Sequence, residues 1–286
     1  MGLAALAAMA AAFVLSAIPI QAWAAVNCAT VLAASDSGAD ADSDGLTDFQ
    51  ECGGITLANG DSFPSCVAST ANPTPPSDRS LCLHPDTKDL FAIYAPASGS
   101  LLPAGYRPFD PETVYGVTFT GFEQIAVTVH QITPLQAFPD RAVTGASPQK
   151  AVKVAESLDT NGTILGYCQW GTPMGLDGCT IYTQRIRNFV SSTCGTLQVV
   201  TPGGAASTLD QVFLAYAKHT FLHEVGHSTG GLAAAYNSSY GGYHYKCGAG
   251  NRMEQCVTYT TKGGKCSFKI APGWNTSLDP AAVKLK

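Results

Sequence analysis

Apolar and polar positions follow several different periods along this chain, and each period predicts a different element. Leu209, Val212, Phe213 and Tyr216 recur at helical spacing, and Phe221, Leu222 and Val225 continue the apolar run. One helix is therefore expected from Ser207 to His227. Ser207-Thr208-Leu209-Asp210 opens it like a capping box, with Asp where Glu or Gln is usual, and Gly230-Gly231 offers a place to end. Upstream, the pattern shortens to the period of strands. Residues Lys88 to Ala95 (KDLFAIYA) read as a strand, as do the β-rich runs Val114–Phe122 and Gln124–Ile132. In the last of these, Ile125, Val127 and Val129 alternate with Thr128 and His130. Lys150–Leu158 fits a short helix or a strand equally well, Ile164–Gln169 and Cys179–Val190 are mixed, and Leu197–Val200 is a last short strand before the helix. There is no internal repeat, and the expected class is α+β.

The ends of the pattern divide the chain into three parts. Residues 2–26 are almost wholly apolar and carry Pro19 followed by Ala22-Trp23-Ala24, which reads as a signal peptide over residues 1–24. The first basic residue of the chain is Arg79, so the usual positive n-region is missing, and an uncut anchor is the alternative. Residues 25–84 include a Gly-, Ser- and Pro-rich stretch from Cys52 to Cys82, expected to be a linker or an irregular lobe held by disulfides. Residues 85–286 form the main domain.

Composition narrows the class further. With 286 residues the chain can bury a full core, and 13% charged residues with abundant Gly, Ser, Thr and Ala fit a loop-rich secreted protein. A net charge of −5 supplies no basic field for nucleic acid. Ten dispersed cysteines without a C-x-x-C pair predict up to five disulfides and an oxidising compartment, extracellular or periplasmic. A monomer without stable membrane association after signal cleavage is expected.

Two motifs carry chemistry. His223-Glu224-Val225-Gly226-His227 spells H-E-x-x-H on the expected helix, where residues four apart lie one above the other. Both imidazoles can then meet one tetrahedral Zn²⁺, with Glu224 beside the metal to work on its water. His219 shares that helical face, but eight residues of helix rise about 12 Å, too far for all three to bind one ion. The second motif runs from Asp40 to Glu51. Asp40, Asp42, Asp44, Asp48 and Glu51 occupy positions 1, 3, 5, 9 and 12 of an EF-hand-type loop, Gly45 takes the sharp turn and Leu46 offers its carbonyl to a Ca²⁺. A solvated acidic linker is the plainer alternative.

The Asp40–Glu51 loop resembles those of thrombospondin type 3 repeats, and Pro85-Asp-Thr-Lys-Asp-Leu-Phe91 resembles the P-x-x-K-D-[IL]-F opening strand of secreted bacterial zinc peptidases that carry such loops. His227-Ser-Thr-Gly230 is similar to the H-x-x-G of metzincins, although their third ligand would fall on Ala233, which cannot ligate. The resemblance implies a metzincin-like α+β fold, a mixed sheet plus the H-E-x-x-H helix, and a third zinc ligand downstream. His244 is the expected residue and Glu254 the alternative. It also implies a Met-turn at Met253 beneath the metal, and Tyr243, Tyr245 and Tyr259 as undistinguished candidates for stabilising an oxyanion. The function expected on these grounds is zinc-dependent endopeptidase activity on protein or peptide substrates. The alternative is a non-catalytic secreted binding module stabilised by calcium.

Overall fold

The computed structural model describes residues 25–69, 72–138, 141–145, 149–170, 176–230, 252–253, 256–274 and 284–285. The expected signal peptide therefore lies outside the described residues, as do Ala233, Tyr243, His244, Tyr245 and Glu254. In chain order the elements are α1 (Cys28–Ala33), α2 (Asp48–Gly53), β1 (Ile55–Thr56), β2 (Ser62–Phe63), β3 (Lys88–Ala95), β4 (Glu112–Val114), β5 (Val117–Phe119), β6 (Val127–Ile132) and β7 (Val152–Ser157). They continue with β8 (Gly166–Trp170), β9 (Leu176–Tyr182), α3 (Thr183–Cys194), β10 (Gln198–Val199), α4 (Leu209–Gly226), β11 (Thr229–Gly230), β12 (Thr258–Lys262), β13 (Lys265–Lys269) and β14 (Lys284–Leu285).

The α+β class is observed. Five strands form a mixed sheet in the order β6-β3-β7-β9-β8, with β8 as an antiparallel edge on four parallel strands. β3 is apolar along most of its length because both faces of a sheet interior are covered. Its alternate side chains go to two separate cores. Leu90 and Ala92 join Val127, Val152, Val154 and Ile181 beneath α3 and α4. Phe91 and Ile93 join Ile132, Val143 and Ala151 on the other face, where Leu46, Ile55, Leu57, Phe63 and Leu83 pack on them. The segment 25–84 is thus the cover of one sheet face. Lys150–Leu158, left open between helix and strand by its periodicity, contains β7, whose buried side chains alternate and whose place between β3 and β9 decides the matter.

The long helix is shorter at both ends than its apolar pattern predicts. Thr208 is the N-cap of α4 and forms a capping box with Gln211, one residue beyond the Ser207–Asp210 expectation, because Gln can return a hydrogen bond to the cap amide. The helix ends at Gly226, and His227 is its C-cap. From Val212 on, α4 is buried around nearly its whole circumference, which is why no polar stripe marks its sequence. Its buried polar side chains find partners. Lys218 Nζ lies 3.0 Å from Glu112 Oε2, and Thr220 Oγ1 donates to the Tyr216 carbonyl.

Between described cysteines four disulfides are seen: Cys28–Cys52, Cys66–Cys82, Cys168–Cys179 and Cys194–Cys266. Cys256 is disulfide-bonded as well. The first two are internal to the segment 25–84. Cys194–Cys266 joins the end of α3 to β13 across 72 residues, and a constraint of that length removes about 4 kcal/mol of chain entropy from the unfolded state in the loop-closure account. Among the described residues no helix is long and apolar enough to cross a membrane.

Candidate metal centres

The last turn of α4 and its C-cap bring together two of the residues expected from sequence, His223 and His227. The rings of His223 and His227 lie with centroids 5.0 Å apart and planes at 82°. His223 is buried and His227 partly exposed, so the pair opens toward the surface on one side. His223 Nδ1 is 2.8 Å from the Arg252 carbonyl oxygen. A carbonyl can only accept, so the proton sits on Nδ1 and the Nε2 lone pair is directed elsewhere. His219 lies one turn before His223 on α4 and is buried. Its ring is 6.0 Å from that of His223, and burial next to His223 pushes its pKa down to about 3.

Behind the histidines the helix backbone is packed without slack. A Cβ on Gly226 would stand 2.8 Å from the Trp274 ring and 2.9 Å from Met253 Sδ. Met253 is fully buried, and it and Trp274 press against the helix between His223 and His227. Arg252 holds this floor in place. Its guanidinium is buried, donates to the carbonyls of Gly121 and Pro272, and lies 4.6 Å from the Trp274 ring. Burial lowers its pKa to about 9, which leaves it charged at neutral pH. The expected Tyr259 sits half-exposed on β12 against Phe268.

Glu224 turns toward the edge of the sheet. Its Oε2 is 3.3 Å from Cys168 Sγ, a contact without a hydrogen because that sulphur is bonded to Cys179. A Cβ at Gly166 would lie 2.7 Å from Glu224 Cγ, so glycine at the start of β8 is what lets the carboxylate lie against the strand. Burial alone raises the Glu224 pKa to about 8. Neither Gly166 nor the Cys168–Cys179 bridge is marked by the sequence as a neighbour of Glu224. Only the pairing of β8 with β9 across from α4 brings them there.

The acidic loop is the second centre. Asp40 accepts from the amides of Ser43, Asp44 and Gly45, and Asp44 accepts from Leu46 at 2.7 Å and from Asp89 at 2.6 Å. Gly45 makes the sharp turn at φ 98°, and α2 leaves the loop from a Thr47–Gln50 capping box. Asp48 Oδ1 accepts from Ala41 at 2.8 Å, which ties the loop's two limbs together. Neither oxygen of Asp42 or of Glu51 meets a hydrogen-bond donor, although all four are buried. Asp40, Asp42 and Asp44 offer oxygens that lie within 4.8 Å of one another, and so do Asp44, Glu51 and Asp89. Burial, followed by mutual repulsion, pushes Asp42 up to about 9, Asp44 to about 7 and Glu51 to about 12, with Lys88 offsetting Asp42 in part.

Asp89 and His130 were not expected here. His130 is buried, stacks on Phe91 at 4.7 Å, and sets Nε2 2.7 Å from Asp89 Oδ1 and Nδ1 2.9 Å from the Ser80 carbonyl. The one sign in the sequence is a charged pair, Lys88-Asp89, inside an otherwise apolar strand.

No family model matches the chain, and the comparisons with curated proteins and with solved structures likewise return no match.

Proposed function

We propose that this chain is a secreted, zinc-dependent endopeptidase with a metzincin-like domain, in which His223 and His227 hold the metal and Glu224 is the general base. The observation that carries the reading is the His223–His227 pair. Two imidazoles bound through Nε2 to one tetrahedral ion, with Zn–N of about 2.0–2.1 Å, have ring centroids about 5 Å apart, and the separation in this protein is 5.0 Å. The hydrogen bond from His223 Nδ1 to the Arg252 carbonyl supports it, since a ligating imidazole usually anchors its other nitrogen in this way. Met253 and Trp274 supply an apolar floor under the helix end, the role expected of Met253.

His244 is proposed as the third ligand, with Glu254 as the alternative. Zinc would supply a Lewis acid for the peptide carbonyl and acidify a water. Glu224 would be the residue that accepts a proton from such a water and returns it to the leaving amine. A burial-raised pKa suits the second half of this task, while a neighbouring divalent cation draws it back toward the ionised form needed for the first. The Asp40–Glu51 loop is proposed to bind Ca²⁺ as a structural ion. The buried, unpartnered carboxylates of Asp42 and Glu51 support this, because such groups cost several kcal/mol each unless a cation compensates them.

The deciding experiment measures metal content and peptide hydrolysis together. Glu224→Gln should keep one zinc per chain and lose about 10²-fold or more in hydrolysis, the usual worth of a positioned base. His244→Ala should lose zinc affinity. Full hydrolysis by Glu224→Gln would overturn the mechanism. A wild-type chain that holds zinc and cleaves neither casein nor gelatin would leave the non-catalytic binding module in its place.

A further inference from the structure

The segment 25–84 covers one face of the central sheet, yet its four cysteines pair only with one another, so no disulfide fastens it to the strands beneath. Beside the apolar packing, one group of polar contacts crosses from segment to sheet and converges on Asp89. The Asp89 amide donates to Asp44 Oδ2 at 2.6 Å. Gln149 Nε2 donates to the Asp89 carbonyl at 2.6 Å and to the Asp44 carbonyl at 3.1 Å, clamping loop and strand side by side. The Asp89 carboxylate accepts from the His84 amide at 3.3 Å and faces His130 at 2.7 Å. Two partners leave part of a carboxylate's four lone-pair directions unused.

Those remaining directions face the loop. Asp89 is fully buried, and its carboxylate shares with Asp44 and Glu51 a set of oxygens all within 4.8 Å of one another. Oxygens on opposite sides of one Ca²⁺, each at about 2.3–2.6 Å, are separated by about 5 Å, so the three can share a single ion. Glu51 is 0% exposed and without a hydrogen-bond donor on either oxygen. Asp44 belongs to this set and also to the Asp40–Asp42–Asp44 set, which makes the two continuous. All the side-chain donors are hard oxygens, which select a calcium-like ion over a soft one.

We propose that Asp89, on the central strand β3, is a ligand of the cation held by the Asp40–Glu51 loop, so that the ion joins the covering segment to the sheet. The inference rests on the calcium reading of the loop. Under it the ion acts as the missing cross-link between segment and sheet, and removing calcium loosens the cover from Phe91 and Ile93 while its two disulfides keep it internally intact.

Calorimetric titration of the full mature chain with CaCl₂ compares wild type with Asp89→Asn, and an anomalous map of wild-type crystals grown with calcium locates the ion independently of how well the variant folds. Expected are a binding isotherm for wild type, at least about tenfold weaker binding by Asp89→Asn, and an ion about 2.3–2.6 Å from an Asp89 carboxylate oxygen. Equal affinity in the variant, or an ion seated in the loop but out of coordination range of Asp89, overturns the inference while leaving the loop site standing. A wild type that binds no calcium removes the loop reading itself, and this inference with it.

Discussion

The two candidate metal centres are built by opposite means. The acidic loop draws four carboxylates, Asp40, Asp42, Asp44 and Glu51, from one short stretch and lies against Asp89 of the sheet. Its donors are already crowded together, at the expense of buried carboxylates that Lys88 offsets only in part. The histidine centre draws two donors from one turn of a helix, and its precision comes from distant parts of the chain: the Arg252 carbonyl on His223 and Met253 with Trp274 behind Gly226. An oxygen shell for a large ion tolerates local, flexible construction, whereas two imidazoles aimed at one small ion need a rigid support. Loss of metal should accordingly destabilise the loop and its cover, and should disable the helix site with little effect on the fold.

The sharpest way to break this comparison is His223→Ala. It should reduce zinc affinity by more than about 100-fold, beyond what loss of an outer partner does, and abolish hydrolysis. The calcium dependence of melting should stay as in wild type. A coupled loss of both metals, read by elemental analysis, would mean that the centres are not independent. Asp44→Ala is the converse test. With the loop's shared carboxylate gone, the melting temperature in calcium should fall on the order of 10 °C, the equivalent of a few kcal/mol in a chain of this size, at unchanged zinc stoichiometry. Melting indifferent to both calcium and this substitution would dispose of the loop site.

A smaller effect is expected of Gly166→Ala. The added methyl group meets the Glu224 side chain, so stability should drop by about 1–3 kcal/mol and hydrolysis should fall while zinc remains bound. Unchanged hydrolysis would show that the carboxylate works from a position away from β8. The smallest effect concerns pH. Without a cation, Asp42, Asp44 and Glu51 have folded-state pKa values raised above their ordinary range, so the folded protein binds protons that the unfolded chain does not. Stability in chelator should therefore be greatest below the ordinary carboxylate values, about 4, and decline as pH rises from there through the raised values, about 7 for Asp44 and about 9 for Asp42. Calcium replaces those protons, so the rise in melting temperature that it causes should be larger at about pH 8 than at about pH 5. Equal increments, measured by calorimetry, would contradict the burial of these carboxylates.

What the sequence disclosed and what it withheld follow the range of the interactions. The approach of Asp40, Asp42 and Asp44 and the pairing of the His223 and His227 rings are legible in the sequence because their geometry is set within about a dozen residues. The start of α4 lies one residue beyond the sequence expectation because Ser207 and Thr208 are both good caps, and only the reach of Gln211 selects between them. β7 was ambiguous because a six-residue strand carries too few positions to fix a period, and its neighbours in the sheet decide its state. Asp89 beside the loop, His130 beside Asp89, and Gly166 beside Glu224 depend on strand order and register. Neither is encoded locally. The cysteine count promised bridges, but which thiols meet is again a matter of the finished fold.

The bridge from Cys194 to Cys266 has a consequence for survival among proteases. Everything between those residues, including α4, both histidines and the Arg252–Met253 floor, belongs to one covalently closed ring. A single cut at any point of the ring opens it without releasing a fragment, because both new ends remain attached through the sulphurs. A chain with this bridge can thus be nicked by a protease close to the two histidines and remain one molecule. Such a nicked species would run as a single band on a non-reducing gel and as two once the bridge is reduced.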